Sequence, residues 1–230
     1  MRALLLAGGL GTRLRPVTDS IPKCLVPIHG KPLLGYWLDL LLGAGIERVL
    51  VNTHYLPEPV RDFVTVSPWR EKIDLAHEDV LLGTGGTVLR AAPFFRDEPF
   101  MVAHADNLSR FDVGAFMRRH QQRPAGVEIT MMTFDTDAPQ SCGIVTENTD
   151  GIITGFFEKV ANPPGNHANG AVYIFEPSVL EFLSALAGPH IDLSTQVIPH
   201  FIGRMCTFHN ADYHRDIGTP ESLRLAELEY

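Results

Sequence analysis

The sequence predicts an α/β fold built on a mixed, mostly parallel central sheet flanked by helices. An apolar run at residues 3–7 opens directly into a glycine-rich segment, as at the end of a buried first strand. Short β-branched runs then alternate with helical patterns through the first 110 residues. No linker, repeat or low-complexity segment interrupts the 230 residues, which suffice for one sizeable core, so we expect a single domain, 1–230.

The first half of the chain predicts four strands separated by helices. The expected strands are 2–7, 47–53, 72–78 and 100–104, and the expected helices are 32–44, 57–66 and 84–92. Parallel strands joined by right-handed crossovers gather ligands beyond their carboxyl ends. The loops after the first, third and fourth strands are therefore predicted to be neighbours.

The second half is less regular but continues the alternation. The expected strands are 127–134, 143–146, 152–157, 171–175 and 205–208, and the expected helices are 111–121, 177–186, 193–201 and a terminal helix from Pro220.

Composition excludes several classes of protein. The formal net charge of −8 argues against a nucleic-acid partner, because phosphate backbones are bound by basic patches. Cys24, Cys142 and Cys206 are too few and too dispersed for a disulfide framework or a zinc site, which favours a reducing compartment. No apolar stretch of about 18 residues is present to span a bilayer, and the run at 3–7 is shorter than a signal-peptide core. We therefore expect a cytoplasmic protein without membrane attachment.

The segment after the first strand has the properties of a phosphate site. Glycines at 8, 9 and 11 let the backbone turn sharply and direct its N–H groups outward, and Arg13 and Lys23 add two positive charges. The dinucleotide fingerprint is not met, since Gly11 is followed by Thr12, Arg13 and Leu14. The P-loop pattern is not met either, because Lys23 follows Pro22 in an extended segment.

A specific family resemblance rests on this segment. Residues 8–14 (GGLGTRL), with Pro16, Thr18, Pro22-Lys23, Leu25, Pro27 and Lys31-Pro32, resemble the signature of the sugar-1-phosphate nucleotidyltransferases. The resemblance implies a Rossmann-like fold, with a nucleotide-binding half at 1–110 and a sugar-binding half at 111–230. In size and motifs the chain is most similar to short bacterial guanylyltransferases acting on D-glycero-α-D-manno-heptose-1-phosphate or mannose-1-phosphate, and no C-terminal β-helix is expected.

The resemblance also implies which residues hold the nucleotide. They are Leu6, Ala7, Gly8, Gly9, Gly11, Thr12, Arg13, Glu78, Gly83 and Thr84. Relatives that use uracil or thymine nucleotides have a glutamine at the position matching Glu78. A carboxylate only accepts hydrogen bonds, which suits the adjacent N1–H and N2–H₂ donors of guanine, so GTP is the favoured nucleotide.

Two aspartates are the candidate ligands for Mg²⁺. Asp106 follows the strand at 100–104, where the family has Gly-Asp and this chain has Ala105-Asp106. Asp216 lies in a segment that resembles the family's Asp-x-Gly-Thr-Pro motif. One or two carboxylates, together with substrate phosphates and waters, are the usual magnesium ligands in proteins.

The resemblance places the sugar phosphate on four residues of the second half. These are Gly143, Glu158, Lys159 and Asn169. Glu158-Lys159 matches a motif whose next residue is usually proline, whereas Val160 follows here.

The expected reaction is in-line attack of the sugar-1-phosphate on the α-phosphorus of GTP, with pyrophosphate leaving. Arg13 is expected to stabilise the pyrophosphate, Lys23 the α-phosphate and Lys159 the incoming phosphate, so Arg13, Lys23, Asp106 and Asp216 are the catalytic candidates. Two alternatives stay open, namely a uridylyl- or thymidylyltransferase and a non-catalytic regulatory subunit that binds nucleotide sugars. Oligomeric state does not follow from the sequence.

Overall fold

A computed structural model of the protein describes residues 1–186 and 188–230. Within these residues it contains thirteen strands and seven α-helices. The strands are β1 (Arg2–Leu6), β2 (Pro27–Ile28), β3 (Lys31–Pro32), β4 (Val49–Thr53), β5 (Ile73–His77), β6 (Phe100–His104), β7 (Asn107–Arg110), β8 (Ile129–Asp135), β9 (Gly143–Glu147), β10 (Ile153–Glu158), β11 (His167–Phe175), β12 (Met205–His209) and β13 (Tyr213–Asp216). The helices are α1 (Leu33–Gly43), α2 (Pro57–Val66), α3 (Gly83–Arg90), α4 (Ala92–Phe95), α5 (Val113–Gln121), α6 (Ser178–Ala185) and α7 (Pro220–Glu229).

The chain divides into two compact units. Unit 1 comprises Met1–Leu81, Ala103–Phe111 and Asp212–Tyr230, and unit 2 comprises Leu82–Val102 and Asp112–Ala211. The C-terminal segment thus belongs to the same unit as the N-terminus. The expected single domain with halves at 1–110 and 111–230 stays a prediction.

Unit 1 is built on parallel strands. β1 pairs with β4 and β4 pairs with β5, both in parallel, and every residue of β1 and β4 is buried. Apolar runs of this kind are typical of strands covered on both faces. The predicted strands and helices of this region are therefore confirmed, apart from shifts of one or two residues at their ends.

A second element of unit 1 was not predicted from the sequence. β7 and β13 form an antiparallel ribbon in which Asp216 lies opposite Asn107. Each of the two strands is four residues long, and His214 lies 105 positions after its partner Ser109 in the sequence. Neither strand carries the periodic apolar pattern that identifies longer strands.

Unit 2 contains the other paired strands. β8 pairs with β11 in antiparallel orientation and with β12 in parallel, and β9 pairs with β10 and β11 in antiparallel orientation. Buried rings of Phe95 and Phe100 stack at 3.8 Å between centroids, and Phe175 meets Phe100 edge-on at 5.6 Å. These contacts form the aromatic core of the unit.

Three predicted elements of unit 2 need correction. The helix expected at 84–92 ends at Arg90, and Pro93 lies in the first turn of the separate helix α4. The expected helix at 193–201 is a π-helical turn (Leu193–Val197) followed by a 3₁₀ turn (Ile198–Phe201), since Pro199 cannot donate a helical hydrogen bond. The strand expected at 171–175 is the second half of β11, which begins at His167. A bulge between Asn169 and Tyr173 interrupts the alternation of its first half, so the sequence pattern did not reveal those residues as a strand.

Candidate active site

The glycine-rich loop leaves β1 as a turn held from two sides. The N–H of Ala7 donates to Asn52 Oδ1 at 2.7 Å, and the Thr18 hydroxyl donates to the carbonyl of Gly11 at 2.7 Å. Gly11 has a φ of +64°, and a Cβ there would lie 2.9 Å from the Thr18 side chain. Glycine is therefore required at position 11 for both conformation and space.

The tip of the loop is open. Gly9 and Leu10 are exposed, and no heavy atom lies within 4 Å of a Cβ built at Gly9. Within the described part of the chain, the N–H groups of Gly9 and Leu10 donate no hydrogen bond. Exposed N–H groups without a partner on a glycine-rich turn can bind an anion, and the phosphate-binding role predicted for this loop stays a prediction.

Lys23 joins the two predicted magnesium ligands. Its Nζ donates to Asp106 Oδ2 at 2.6 Å and to Asp216 Oδ1 at 3.0 Å. Lys23 is buried, with 7% of its side chain exposed, whereas Asp106 and Asp216 are 26% and 53% exposed. Residues separated by up to 193 positions in the sequence thus meet at one ammonium group.

The β7–β13 ribbon explains why the two carboxylates meet. Asp106 immediately precedes β7 and Asp216 ends β13, and the N–H of Ile217 donates to the carbonyl of Asp106 at 3.3 Å. A buried apolar cluster of the same unit includes Leu14, Leu108 and Ile217, which lie one or two positions from Arg13, Asp106 and Asp216 in the sequence. The cluster consists of Leu14, Val26, Ile28, Leu33, Leu108, Ile217 and Ala226. Packing of these side chains fixes the backbone from which the charged groups project.

The charges of Lys23, Asp106 and Asp216 stabilise one another. Burial lowers the pKa of Lys23, but the opposite charges of Asp106 and Asp216 together raise it by more. The net pKa therefore lies above its ordinary value of 10.5. Burial raises the pKa of Asp106, while Lys23 and His104 lower it, and the net pKa lies below 3.8. Both groups are therefore charged at neutral pH.

Arg13, which directly follows the glycine-rich loop, is the second cation beside Asp216. Its guanidinium lies 3.6 Å from Asp216 Oδ2 and is 69% exposed, so it is available to an incoming anion. A Cβ at Gly218 would lie 2.6 Å from Asp216 Oδ2 and 3.0 Å from an Arg13 nitrogen. The glycine of the Asp-x-Gly-Thr-Pro segment therefore leaves the space in which Arg13 and Asp216 meet.

The donor set fits the magnesium ion that the family resemblance implies. One oxygen from each of Asp106 and Asp216 lies within 3.0 Å of the same cation, Lys23 Nζ, so the two carboxylates already converge. Carboxylate oxygens completed by phosphates and waters are the ligands that Mg²⁺ prefers.

Cys24, the neighbour of Lys23, has no nucleophilic role in this arrangement. It is buried, and burial together with the charge of Asp106 raises the pKa of its thiol to about 12. A protonated, inaccessible thiol is inert.

Glu78 lies at the end of β5 in unit 1. Its N–H donates to the carbonyl of Thr53 at 2.8 Å, its carbonyl lies 2.7 Å from His54 Nδ1, and the residue is 1% exposed. The backbone at this position is thus held on both sides. Its predicted role in recognising the base stays a prediction.

Gly83 and Thr84 belong to unit 2, where they contact the segment before the π-helical turn. The Thr84 hydroxyl accepts from the N–H of Leu193 at 2.8 Å and donates to Asp192 at 3.3 Å. Gly83 has a φ of +77°, and a Cβ there would lie 2.4 Å from the carbonyl of Ile191. These contacts position the start of α3, and nucleotide binding by the two residues stays a prediction.

Unit 2 brings three of the four predicted sugar-phosphate residues into contact. Gly143 and Glu158 are register partners on β9 and β10, and a Cβ at Gly143 would lie 2.6 Å from Glu158 Oε2. Gly143 therefore makes room for the carboxylate of Glu158. Lys159 Nζ lies 3.2 Å from Glu158 Oε1, is 64% exposed and has a φ of +49°.

Asn169 is engaged within the bulge of β11. Its Oδ1 accepts from the N–H of Ala171 at 2.9 Å, and its Nδ2 donates to the Tyr173 hydroxyl at 2.7 Å. Ala171 has a φ of +52°, which is unusual for alanine. The side chain of Asn169 thus stabilises a strained backbone next to the Gly143–Glu158 pair, where Ala168 is the register partner of Ile144.

The structure joins Arg13, Lys23, Asp106 and Asp216 by direct contacts in unit 1, and it joins Gly143, Glu158 and Lys159 in unit 2. Three positioning residues were missed by sequence reasoning. Asn52 and Thr18 hold the loop, and Gly218 leaves space beside Arg13. Gly218 and Thr18 lay inside recognised motifs, and Asn52 was a polar residue near the end of a buried strand, so all three carried a usable signal.

The comparisons with known proteins agree with this geometry. The family model described as "Nucleotidyl transferase" matches residues 2–230. A mannose-1-phosphate guanylyltransferase of Mycobacterium tuberculosis is 32% identical over 96% of this chain, and the catalytic subunit beta of the same enzyme from Danio rerio is 32% identical over 97%. The chain spans 62% of the length of each of these relatives.

A solved structure extends the comparison. HddC from Yersinia pseudotuberculosis, solved with GMP-PN, is 28% identical, has a TM-score of 0.82, and is matched over 99% of this chain and 98% of its own. The predicted α/β fold is thereby confirmed. In the described residues no helix is long and apolar enough to cross a bilayer. From its fold, its glycine-rich loop and the match along its length, the chain belongs to the nucleotidyl transferase family.

Proposed function

We propose that the protein transfers GMP from GTP to a sugar-1-phosphate, with Mg²⁺ as cofactor, and releases pyrophosphate. The observation that carries the proposal is the meeting of Lys23, Asp106, Asp216 and Arg13 beside an open glycine-rich loop. A cluster of two carboxylates and two cations suits phosphoryl chemistry, in which catalysis consists of positioning and charge stabilisation.

Each residue has a distinct part in this proposal. The open amides at Gly9 and Leu10 and the exposed guanidinium of Arg13 hold the phosphates that leave as pyrophosphate. Lys23 keeps the two carboxylates at one point and supplies positive charge near the α-phosphate. Asp106 and Asp216 would hold Mg²⁺, which when bound offsets the negative charge of the nucleotide phosphates.

The attacking group needs no general base in this scheme. A sugar-1-phosphate is already an anion at neutral pH, so its oxygen forms a bond to the α-phosphorus while the bond to pyrophosphate breaks. The exposed ammonium of Lys159, held beside Glu158, is suited to the incoming phosphate. Glu158 and Asn169 are the candidate contacts for the sugar hydroxyls.

Guanine is the proposed base. The curated relatives quoted above are named guanylyltransferases, and the HddC neighbour was solved with GMP-PN. The carboxylate of Glu78 offers acceptors for the two adjacent donors of guanine. Mannose-1-phosphate and a manno-configured heptose-1-phosphate are the proposed sugar substrates, the first supported by the names of the curated relatives and the second by motif resemblance.

The experiment is pyrophosphate release measured over a matrix of four nucleoside triphosphates and several sugar-1-phosphates, with and without Mg²⁺. The proposal expects turnover that requires Mg²⁺ and is fastest with GTP and a manno-configured sugar. Preference for UTP or dTTP would overturn the assignment of guanine. Nucleotide binding without turnover for any pair would favour a non-catalytic regulatory subunit.

A further inference from the structure

We propose that Asp135, His167 and His209 of unit 2 form a second metal site, which binds a divalent transition metal such as Zn²⁺. These three side chains are called the Asp135 cluster below. One ligand atom from each residue lies within 4.8 Å of the other two. The proposal concerns residues that have no part in the proposed transfer of GMP.

Strand pairing brings the three residues together. Asp135 ends β8 and is the register partner of His167, the first residue of β11. His209 ends β12, which pairs with the other edge of β8. Three adjacent strands therefore present one ligand each at the same end of the sheet, so the backbone holds the cluster before any metal binds.

The side chains face one another across this edge. His167 Nδ1 lies 3.9 Å from Asp135 Oδ1, and His209 Nε2 lies 3.9 Å from Asp135 Oδ2. The two imidazole rings stack with 5.3 Å between centroids and 23° between planes. Zinc binds such ligands at about 2.0–2.2 Å, so movements of roughly an ångström by the partly exposed side chains would close the site.

The second nitrogen of His167 also points to a ligand role. Nε2 is buried, has no hydrogen-bond partner among the described residues, and lies 3.9 Å from Glu147 Oε2. The Thr207 hydroxyl holds that carboxylate by donating to Oε2 at 2.5 Å. Histidines that ligate a metal through one nitrogen commonly donate the other N–H to a carboxylate, which fixes the tautomer.

The donor types select the class of metal. Two imidazole nitrogens and one carboxylate suit zinc and its neighbours in the transition series, whereas magnesium prefers oxygen. Asp135 and His209 are 64% and 41% exposed, so water has access to complete the coordination. The Asp106–Asp216 pair, built only of carboxylates, is the contrasting oxygen site of the same chain.

The experiment is a titration of the metal-free full chain with Zn²⁺ against a chromophoric chelator at about pH 7.5, where imidazole is available to bind metal. We expect the wild type to bind one Zn²⁺ that is lost in His167→Gln and in His209→Gln. Two control variants should keep that ion. Asp106→Asn changes the carboxylate pair of unit 1, and His29→Asn changes an exposed histidine outside the Asp135 cluster. Glu147→Gln should keep the stoichiometry and weaken affinity about 10–100-fold.

Co²⁺ supplies an independent readout in the same proteins. Visible ligand-field absorption of the Co²⁺-loaded wild type should disappear in His209→Gln, while circular dichroism shows the fold to be unchanged. Equal Zn²⁺ binding by the wild type and both histidine variants would overturn the proposal, and so would loss of the ion in Asp106→Asn.

Discussion

Lys23 is the residue on which the site of unit 1 depends. A buried ammonium is costly without partners, and here two carboxylates accept from it at 2.6 and 3.0 Å. Removing the lysine would leave two carboxylates close together with no ammonium between them, and the exposed Arg13 guanidinium, 3.6 Å from Asp216 Oδ2, would offset their charge only in part. The same interaction therefore contributes to folding stability and keeps the two predicted magnesium ligands at one point.

The pH dependence of stability follows from this pairing. The pKa of Asp106 is lowered, so its contribution is present above the ordinary value of 3.8 and is lost as pH falls through the lower pKa of the folded state. The pKa of Lys23 is raised, so its contribution is present below 10.5 and is lost as pH rises through the higher pKa of the folded state. Between about pH 5 and 9 both groups keep their charge.

We therefore expect Lys23→Met to lose about 2–3 kcal/mol of unfolding free energy near neutral pH. The difference from the wild type should shrink below about pH 4 and above about pH 10.5. Urea denaturation in EDTA across this pH range measures it. A difference that stays constant to pH 2.5 would show that the ion pair does not stabilise the fold.

Gly218 offers a way to change the site without changing the fold. In Gly218→Ala the new Cβ displaces the ends of Arg13 and Asp216, whose side chains are 69% and 53% exposed, so stability should change by less than about 1 kcal/mol. Turnover should fall about tenfold or more, because misplaced charges lose transition-state stabilisation. Gly43→Ala, at an exposed helix end with no heavy atom within 4 Å, is the matched control and should keep wild-type turnover.

At the scale of elements, the start of α3 depends on a glycine that backbone atoms enclose. A Cβ at Gly83 would lie 2.4 Å from the carbonyl oxygen of Ile191, in a residue with a φ of +77°. Gly203 has a similar φ of +84° but no heavy atom within 4 Å. Alanine substitutions at Gly83 and at Gly203 therefore distinguish the energetic cost of backbone strain from that of a steric clash.

Gly203→Ala should lower the free energy of unfolding by about 1 kcal/mol, the usual penalty for an alanine in the left-handed backbone conformation. Gly83→Ala should cost clearly more, about 2–4 kcal/mol, because the Ile191 carbonyl must move and the hydrogen bonds from Gly85 and Gly86 to it weaken. Thermal or urea unfolding of both variants measures the difference. Equal losses would mean that the segment at Ile191 adjusts freely.

Elements with a clear apolar pattern could be predicted from the sequence, whereas four-residue strands with polar members could not. β1, β4 and the helices α1 and α2 carry clear apolar patterns and lie where the sequence places them. The β7–β13 ribbon was missed because four-residue strands with polar members give no periodic signal. The bulge in β11 was missed because the φ of +52° at Ala171 breaks the alternation at a residue type that does not announce a turn.

The same limit applies to the candidate site. Motif resemblance identified Arg13, Lys23, Asp106 and Asp216, and their mutual contacts are now evident in the geometry. It did not reveal that Lys23 bridges the two aspartates, or that Gly143 makes room for Glu158. Such relations depend on the packing of residues remote in sequence, which local patterns do not encode.

At the scale of the whole molecule, nucleotide binding should stabilise the chain. A ligand that binds only the folded state at about 100 times its Kd adds roughly 2.7 kcal/mol. For a chain of 230 residues this corresponds to a rise in Tm of roughly 5–10 °C. Differential scanning fluorimetry with GTP and Mg²⁺ should show the rise, and UTP at equal concentration should give a smaller one. No shift with any nucleotide would contradict binding at the glycine-rich loop.

The most direct test of the central claim is the turnover of Lys23→Ala in Mg²⁺-dependent pyrophosphate release from GTP and a sugar-1-phosphate. Loss of the charge that joins Asp106 to Asp216 should lower kcat more than about 100-fold, with the folded state retained by circular dichroism. Lys72→Ala, which removes an exposed lysine of unit 1, is the control and should keep wild-type turnover. Near-normal turnover in folded Lys23→Ala would contradict the account.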